Sequence, residues 1–169
     1  MTRSTKPWIA LALMIAMGGG LQSAVAQEAD PPAEAREAEQ AEQQEERTLY
    51  QRLGGLAPIS VVVSDFIDVL VPDPMLNENP AIDAARQRVP PAYLKYHVTA
   101  MVCQVTGGPC EYHGRGMEEA HAHLNITEDE WDRMVTLFKQ VLAEHEVPER
   151  ESEELLEIIG TTKADIVTG

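Results

Sequence analysis

The chain has 169 residues, of which 28 are acidic, 13 are basic and two are cysteine. This length suits one folded domain together with an additional segment. The net charge of −15 at pH 7 repels nucleic acid and anionic membrane surfaces, so the composition excludes both classes of partner.

The N-terminal segment, residues 1–26, is typical of a secretory signal peptide. Arg3 and Lys6 make a positive start, and the apolar run over 8–17 is too short to span a bilayer. Residues 24–26 read Ala-Val-Ala, a small-residue cleavage site. We therefore predict export to the periplasm or beyond the cell, with no stable membrane insertion after cleavage. The alternative is an uncleaved membrane anchor.

Residues 27–47 are dominated by Ala, Glu and Gln and contain no large apolar side chain. Such a stretch cannot bury enough surface to fold alone, so we predict a solvated acidic linker. The folded domain is predicted over residues 48–169. Once Arg3 and Lys6 are removed, 11 basic residues stand against 28 acidic ones, which is a net charge of −17.

Apolar spacing and helix-breaking residues predict an all-α domain. A short turn at 49–53 precedes a helix from Pro58 to about Val71, whose apolar residues recur at three- and four-residue steps. A strand over 59–63 is the competing interpretation, because valines are frequent there. The remaining predicted helices are 81–88, 92–105, 117–124, one opened by the Thr127–Glu130 capping box, and one from Pro148 with a kink at 160–162.

The stretch from Tyr112 to Thr127 concentrates the chemistry of the chain. It contains His113, His121 and His123, three of the five histidines. A Gly-broken loop leads into a run of helix formers, an arrangement that can aim a histidine into a cavity. The alternative is a surface helix whose histidines are only solvated.

Cys103 and Cys110 form an even pair in a chain predicted to be exported. This pattern predicts a disulfide that closes a small loop. Two free thiols, one of them buried, are the alternative.

Two histidines are placed to meet across the Gly-Gly break at 107–108. His97 lies on the helix before it and His121 on the helix after it. Neutral imidazole is a good iron ligand, and all-α domains often build cofactor sites between helices. Haem needs one strong axial ligand and an apolar wall, and the wall is predicted from Phe66, Ile67, Leu94, Val98 and Met101.

Several short motifs, in their order and spacing, resemble the truncated haemoglobins of group 1 over about residues 48–167. The matching pieces are Leu49-Tyr50-Gln51-Arg52-Leu53-Gly54-Gly55, Phe66, Asp73, Gly107-Gly108-Pro109, Tyr112-His113-Gly114-Arg115, Met117-Glu118-Glu119-Ala120-His121-Ala122-His123-Leu124, and Ile126-Thr127 with Trp131-Asp132. The resemblance implies a truncated globin-like sandwich of two helices over two, with haem between them. It also implies that His121 is the proximal iron ligand.

The resemblance carries further residues into the expected site. Tyr112 and Arg115 match the loop before the proximal helix, where Arg115 is expected to pair with a haem propionate; a plain surface arginine is the alternative. Met117 and Ile126 flank His121 in the matching motifs and are assigned to the cofactor site. On a helix, a residue two positions on points about 200 degrees away, so His123 is not expected to bind the same iron.

The distal side departs from the family pattern. Ile67 stands where the family usually has a tyrosine, and Leu94 falls near its distal glutamine. The usual phenylalanine is missing from the stretch at 77–80. His97 falls where some members carry a distal histidine, so it is expected as a sixth iron ligand or as a donor to bound ligand. The alternative is a polar residue at the pocket rim.

The resemblance therefore implies a haem protein that binds oxygen or nitric oxide, or that exchanges electrons with a donor. No catalytic residue is assigned, and an enzymatic activity resembling nitric oxide dioxygenation stays open. One alternative is an interaction or sensor module that has kept the fold and lost haem. Another is a zinc or copper site made from His113, His121 and His123.

Overall fold

The computed structural model describes residues 46–169. The predicted signal peptide and all but the last two residues of the predicted linker lie outside the described residues. The helices are α1 (Leu49–Arg52), α2 (Leu56–Leu70), a 3₁₀ turn (Leu76–Glu78), α3 (Pro80–Arg88), α4 (Pro91–Val105), α5 (Met117–His121), α6 (Glu128–Glu144), α7 (Glu149–Gly160) and α8 (Lys163–Ile166).

The described part of the chain contains no strand, and its one β-type contact is a single bridge between Ile126 and Val167. The all-α prediction is therefore confirmed. The strand alternative at 59–63 is wrong, because this stretch lies inside α2, which buries residues at helical spacing: Ile59, Val63, Phe66 and Ile67. Within residues 46–169, no helix combines the length and apolarity that a membrane crossing requires.

Side-chain caps fix where several helices begin. The Thr127 hydroxyl accepts from the Glu130 backbone N–H, while a Glu130 carboxylate oxygen lies 2.8 Å from the Thr127 nitrogen that donates to it. Thr48 and Gln51 make the same reciprocal pair at α1. Each such cap contributes about 1 kcal/mol. The predicted helix start at Thr127 is confirmed.

The helix that carries His121 is shorter than its sequence predicts. We expected it to reach Leu124, but α5 ends at His121. Leu124 donates its N–H to the His121 carbonyl at 2.8 Å, which is a tighter turn than an α-helix makes. Asn125 follows with a φ of 49°, in the left-handed region that asparagine tolerates better than most residues.

The core lies between α2 and the helices α6 and α7. Phe66 and Phe138 meet edge to face in it, with ring centroids 5.1 Å apart. Helix α2 packs against both α4 and α6, and α6 packs against α7, which gives two helices over two. Trp131, also buried, lies in the first turn of α6, outside this cluster.

Two groups of ion pairs hold the ends of the bundle. Arg52 bonds both carboxylate oxygens of Glu154 and lies 3.6 Å from Glu151, and the Arg52 and Glu151 side chains are 4% and 7% exposed. This cluster joins α1 to α7. At the end of α2, Arg133 donates two hydrogen bonds to buried Asp73, at 2.8 and 3.1 Å.

Cys103 and Cys110 form a disulfide with their Cα atoms 5.7 Å apart. The predicted disulfide is therefore present, and the free-thiol alternative is wrong. The bond ties the last turn of α4 to the loop that leads to α5. Gly108, inside the closed loop, lies so close to its surroundings that a Cβ atom would come within 2.5 Å of the Tyr50 ring and 2.7 Å of the Cys103 sulfur.

Candidate functional site

His121 ends α5 and bonds to its own helix through one ring nitrogen. Its Nδ1 atom lies 2.8 Å from the carbonyl oxygen of Met117. A carbonyl can only accept, so Nδ1 must donate and therefore carries the proton of the neutral ring. The lone pair then lies on Nε2, which makes no hydrogen bond among the described residues. A half-buried imidazole in this tautomer is ready to bind a metal.

The surroundings of His121 favour the neutral form of its ring. Burial lowers the pKa of His121, the hydrogen bond to Met117 opposes that effect, and the charges of His123 and Arg115 lower it further. The net pKa lies below the ordinary histidine value. Only the neutral ring binds iron, so the direction of this shift favours ligation.

Helix α4 presents an apolar face that the protein covers incompletely. Leu94, Val98 and Met101 are all half-buried, and Cys103 is the one fully buried residue of the helix. Among the described helices, α4 packs closely against α2, and α5 packs closely against α8. Helices α4 and α5 do not pack closely against each other. Leu94 and Val98 pack against the core cluster but stay partly exposed, so an apolar group placed on this face of α4 would complete their burial. The residues present therefore fit a haem.

His97 lies on the same helix, among three tyrosines that we call the tyrosine cluster. The ring centroids of Tyr93, Tyr96 and Tyr112 lie 4.2, 5.1 and 6.0 Å from that of His97. The His97 ring is half-buried and makes no hydrogen bond within residues 46–169. Its orientation therefore depends on these ring contacts. Sequence reasoning missed both tyrosines of this helix, although the four-residue spacing of Tyr93 from His97 was a usable signal.

The loop before α5 is ordered by Tyr112. The Tyr112 N–H donates to the Gln104 side-chain oxygen at 2.6 Å, and its hydroxyl donates to the Arg115 carbonyl at 3.0 Å. The ring lies so close to Gly114 that no Cβ atom fits there. The Arg115 side chain is exposed, and its charge acts on His121 as described above. Arg115 is thus free to meet an anionic group at the edge of the site.

Phe66 and Ile67 lie deeper than the other predicted wall residues. They are 8% and 2% exposed and belong to the core of the bundle. Ile67 brings no polar atom to this side of the site. They therefore lie in the core, on the helix that α4 packs against.

The segment after α5 is held from two sides. The Ile126 carbonyl accepts from the N–H groups of Thr168 and Gly169 at 2.9 and 3.0 Å. From the other side, Asn79 donates its side-chain N–H to the Leu124 carbonyl at 2.9 Å. Sequence reasoning noted that an aromatic residue is missing near Asn79 but missed this contact. The only sequence signal was an asparagine before a proline, which is typical of a helix cap.

Two further cavities lie elsewhere. One, of about 40 Å³, is lined by apolar residues of the core. The other, an open cleft of about 460 Å³, lies between residues 75–81 and 125–130. Neither is lined by His97 or His121. The haem fit therefore rests on the incompletely covered face of α4 and on the free nitrogen of His121.

The three histidines of the central stretch are not gathered around one point. The His113 side chain is 78% exposed beside Glu111, and His123 is exposed in the turn after α5. No group of three His, Cys, Asp or Glu side chains in the described part of the chain is arranged to hold a metal ion. The geometry gives no support to a zinc or copper site.

The sequence matches a known family over most of the described residues. The model of the bacterial-like globin family matches residues 48–168. The group 1 truncated hemoglobin GlbN of Nostoc sp. strain MUN 8820 is 28% identical over 121 residues, which are 71% of this chain and 97% of that protein. The GlbN of Synechocystis sp. strain PCC 6803 is 30% identical over 107 residues, 60% of this chain and 81% of that protein.

Solved structures show the same fold. Truncated hemoglobin from Tetrahymena pyriformis, in the Fe(III) form, has a TM-score of 0.63 and 22% identity, covering 73% of this chain and 100% of that one. The 2/2 hemoglobin from Synechococcus sp. PCC 7002, with covalently attached heme, has a TM-score of 0.62 at the same identity and coverage. The predicted two-over-two sandwich is confirmed. This chain belongs to the bacterial-like globin family, among the truncated haemoglobins of group 1.

Proposed function

We propose that the chain binds haem through Nε2 of His121 and uses it to bind a diatomic gas, oxygen or nitric oxide, or to exchange electrons. The observation that carries this proposal is the hydrogen bond from Nδ1 to the Met117 carbonyl. It leaves Nε2 as the free ligand atom of a ring whose pKa is lowered. Haem, when bound, supplies an iron centre that takes up diatomic ligands and changes oxidation state.

The site's residues divide into three roles around His121. Leu94, Val98 and Met101 supply apolar contact from α4, while Phe66 and Ile67 lie in the core on the helix that α4 packs against. Exposed Arg115 is positioned in the loop to meet an anionic edge of the cofactor. Met117 orients the ring of His121.

The distal side favours nitric oxide or electron exchange over firm oxygen carriage. Ile67 has no hydrogen-bond donor, so bound oxygen would miss the partner that a hydroxyl supplies. His97 is the candidate to replace it, as donor to the bound ligand or as sixth iron ligand. Electron exchange requires a donor protein or small reductant as partner.

A visible spectrum of the purified chain, supplied with haem, tests the ligand assignment. We expect a Soret band in the wild type that is lost in His121→Ala and retained in the matched variant His123→Ala. Loss of the band in both variants, or in neither, would remove His121 as the ligand. If His97 is the sixth ligand, His97→Ala converts a low-spin spectrum to a high-spin one, and an unchanged spectrum removes His97 from the iron.

The haem-free interaction or sensor module remains the second candidate. It is favoured by one observation, that the stretch at 77–80 has no aromatic side chain where the family usually carries a phenylalanine. A colourless protein with full helicity by circular dichroism, after haem has been supplied, would select it.

We also propose that the protein is exported. The Cys103–Cys110 disulfide supports this, because disulfides persist mainly in oxidising compartments. Mass spectrometry of the mature protein should find Gln27 at its N-terminus. An intact Met1 in the secreted or periplasmic fraction would contradict the predicted cleavage.

A further inference from the structure

The helix that carries His121 cannot hold its own position. Helix α5 has five residues, none of which is buried. Isolated helices shorter than about 12 residues are marginal in water. The position of the His121 ring therefore depends on contacts made from outside the helix.

One of those contacts comes from Asn79, which is 45 positions away from its partner in the chain. Asn79 donates a side-chain N–H to the Leu124 carbonyl at 2.9 Å, and the N–H of Leu124 donates to the His121 carbonyl at 2.8 Å. Two hydrogen bonds in series thus connect the start of α3 to the backbone of His121.

Asparagine is the residue type that this position needs. Its side-chain oxygen accepts from the N–H groups of Ala81 and Ile82, at 2.9 and 3.4 Å, and so caps α3. Its side-chain nitrogen makes the bond to Leu124. Aspartate or serine would preserve the cap, but neither provides an N–H donor on the other side.

We propose that Asn79 is a positioning residue for His121, and that its amide, by fixing the turn after α5, slows the loss of haem. This inference rests on the proposed function. The turn at 122–126 is also held at Ile126, by the N–H groups of Thr168 and Gly169. Loss of the Asn79 amide therefore removes one of these two attachments and leaves the other in place. The turn then opens more often without unfolding the bundle.

Two variants, Asn79→Asp and Asn79→Ser, test the inference. Both keep the cap and remove the amide N–H that reaches Leu124. The serine hydroxyl lies one bond closer to the backbone, where it makes the cap, and serine adds no charge, so repulsion of the Leu124 carbonyl is separated from loss of the amide bond. Asn77→Ser is the matched control, because the Asn77 amide bonds the Val71 and Asp73 carbonyls in a neighbouring turn and does not touch the segment after α5.

The first measurement is hydrogen–deuterium exchange over residues 122–126 in protein without haem. We expect about fivefold faster exchange in both Asn79 variants, as loss of one hydrogen bond predicts, and no change in the Asn77 control. Unchanged exchange in both Asn79 variants would overturn the inference. A change in Asn79→Asp alone would also overturn it, because charge repulsion and not the lost donor would then be the cause.

The second measurement uses the haem-loaded protein. We expect haem transfer to apomyoglobin to be about fivefold faster in the Asn79 variants, and the iron–histidine stretching band in the Raman spectrum to shift or broaden. Faster exchange with an unchanged band and unchanged transfer would reduce Asn79 to a structural residue and overturn its positioning role. Wild-type protein that takes up no haem would overturn the proposed function. The exchange measurement would still decide whether the hydrogen bond from Asn79 holds the turn after α5.

Discussion

The Cys103–Cys110 disulfide should stabilise the folded protein by an amount that follows from the length of the loop it closes. The two cysteines are seven positions apart, so the bond closes a loop of about eight residues in the unfolded chain. Loop-closure entropy for that length corresponds to about 2.4 kcal/mol at 25 °C. Removing the bond should lower the free energy of unfolding by this amount and the melting temperature by roughly 10 °C.

Cys110→Ala is the appropriate variant, because Cys103 is fully buried and its replacement would also disturb the packing of the core. Urea denaturation, followed by far-ultraviolet circular dichroism, gives the free energy of unfolding. Wild-type protein treated with a thiol reductant should lose the same stability, and Cys110→Ala should not respond to the reductant. A difference below about 0.5 kcal/mol between wild type and variant would refute the loop-entropy reasoning.

Three more predictions concern the bundle. Arg52→Ala should lower the free energy of unfolding, measured by urea denaturation, by about 3–5 kcal/mol, because it leaves a buried glutamate without its partner. Arg150→Ala removes an exposed ion pair and should lower it by less than about 1 kcal/mol. The pKa of Asp73 is lowered, chiefly by the hydrogen bond from Arg133. The ionised carboxylate therefore stabilises the fold fully at a pH above its unfolded pKa near 4, and this stabilisation is lost as the pH falls through the lower pKa of the folded state. Urea titrations between pH 7 and pH 2 should therefore show a shallower acid loss in Asp73→Asn, and parallel curves would contradict the assignment. Gly108→Ala should destabilise the fold or block the disulfide, because no room exists for its Cβ atom; a thiol assay and a melting curve equal to wild type would show otherwise.

Local sequence signals predicted most of the helices. The Thr127 capping box and the prolines at helix starts act on backbone only a few residues away, so the sequence itself indicates where these helices begin. The helix at Met117 was predicted three residues too long, because its apparent helix formers continue to Leu124. The tight turn at Leu124 and the left-handed Asn125 end it early.

The candidate site was predicted only in part, because some of its contacts join residues that are distant in the sequence. His121 lies in a compact motif, so the sequence alone pointed to it. The contacts of Asn79 with Leu124, and of His97 with Tyr112, join residues that are far apart in the chain. Helical periodicity indicates which face of a helix is apolar, but it does not specify which polar atoms meet once helices pack. These contacts required the structure.

Trp131 gives the domain a built-in optical reporter. It is the one indole in the described part of the chain, and it is buried at 5% exposure. Its emission should therefore be blue-shifted in the native state and should move to longer wavelength on unfolding. Haem absorbs in the range where indole emits, so energy transfer to a cofactor in the same small domain would quench that fluorescence. A single intensity titration would then follow cofactor uptake without any label.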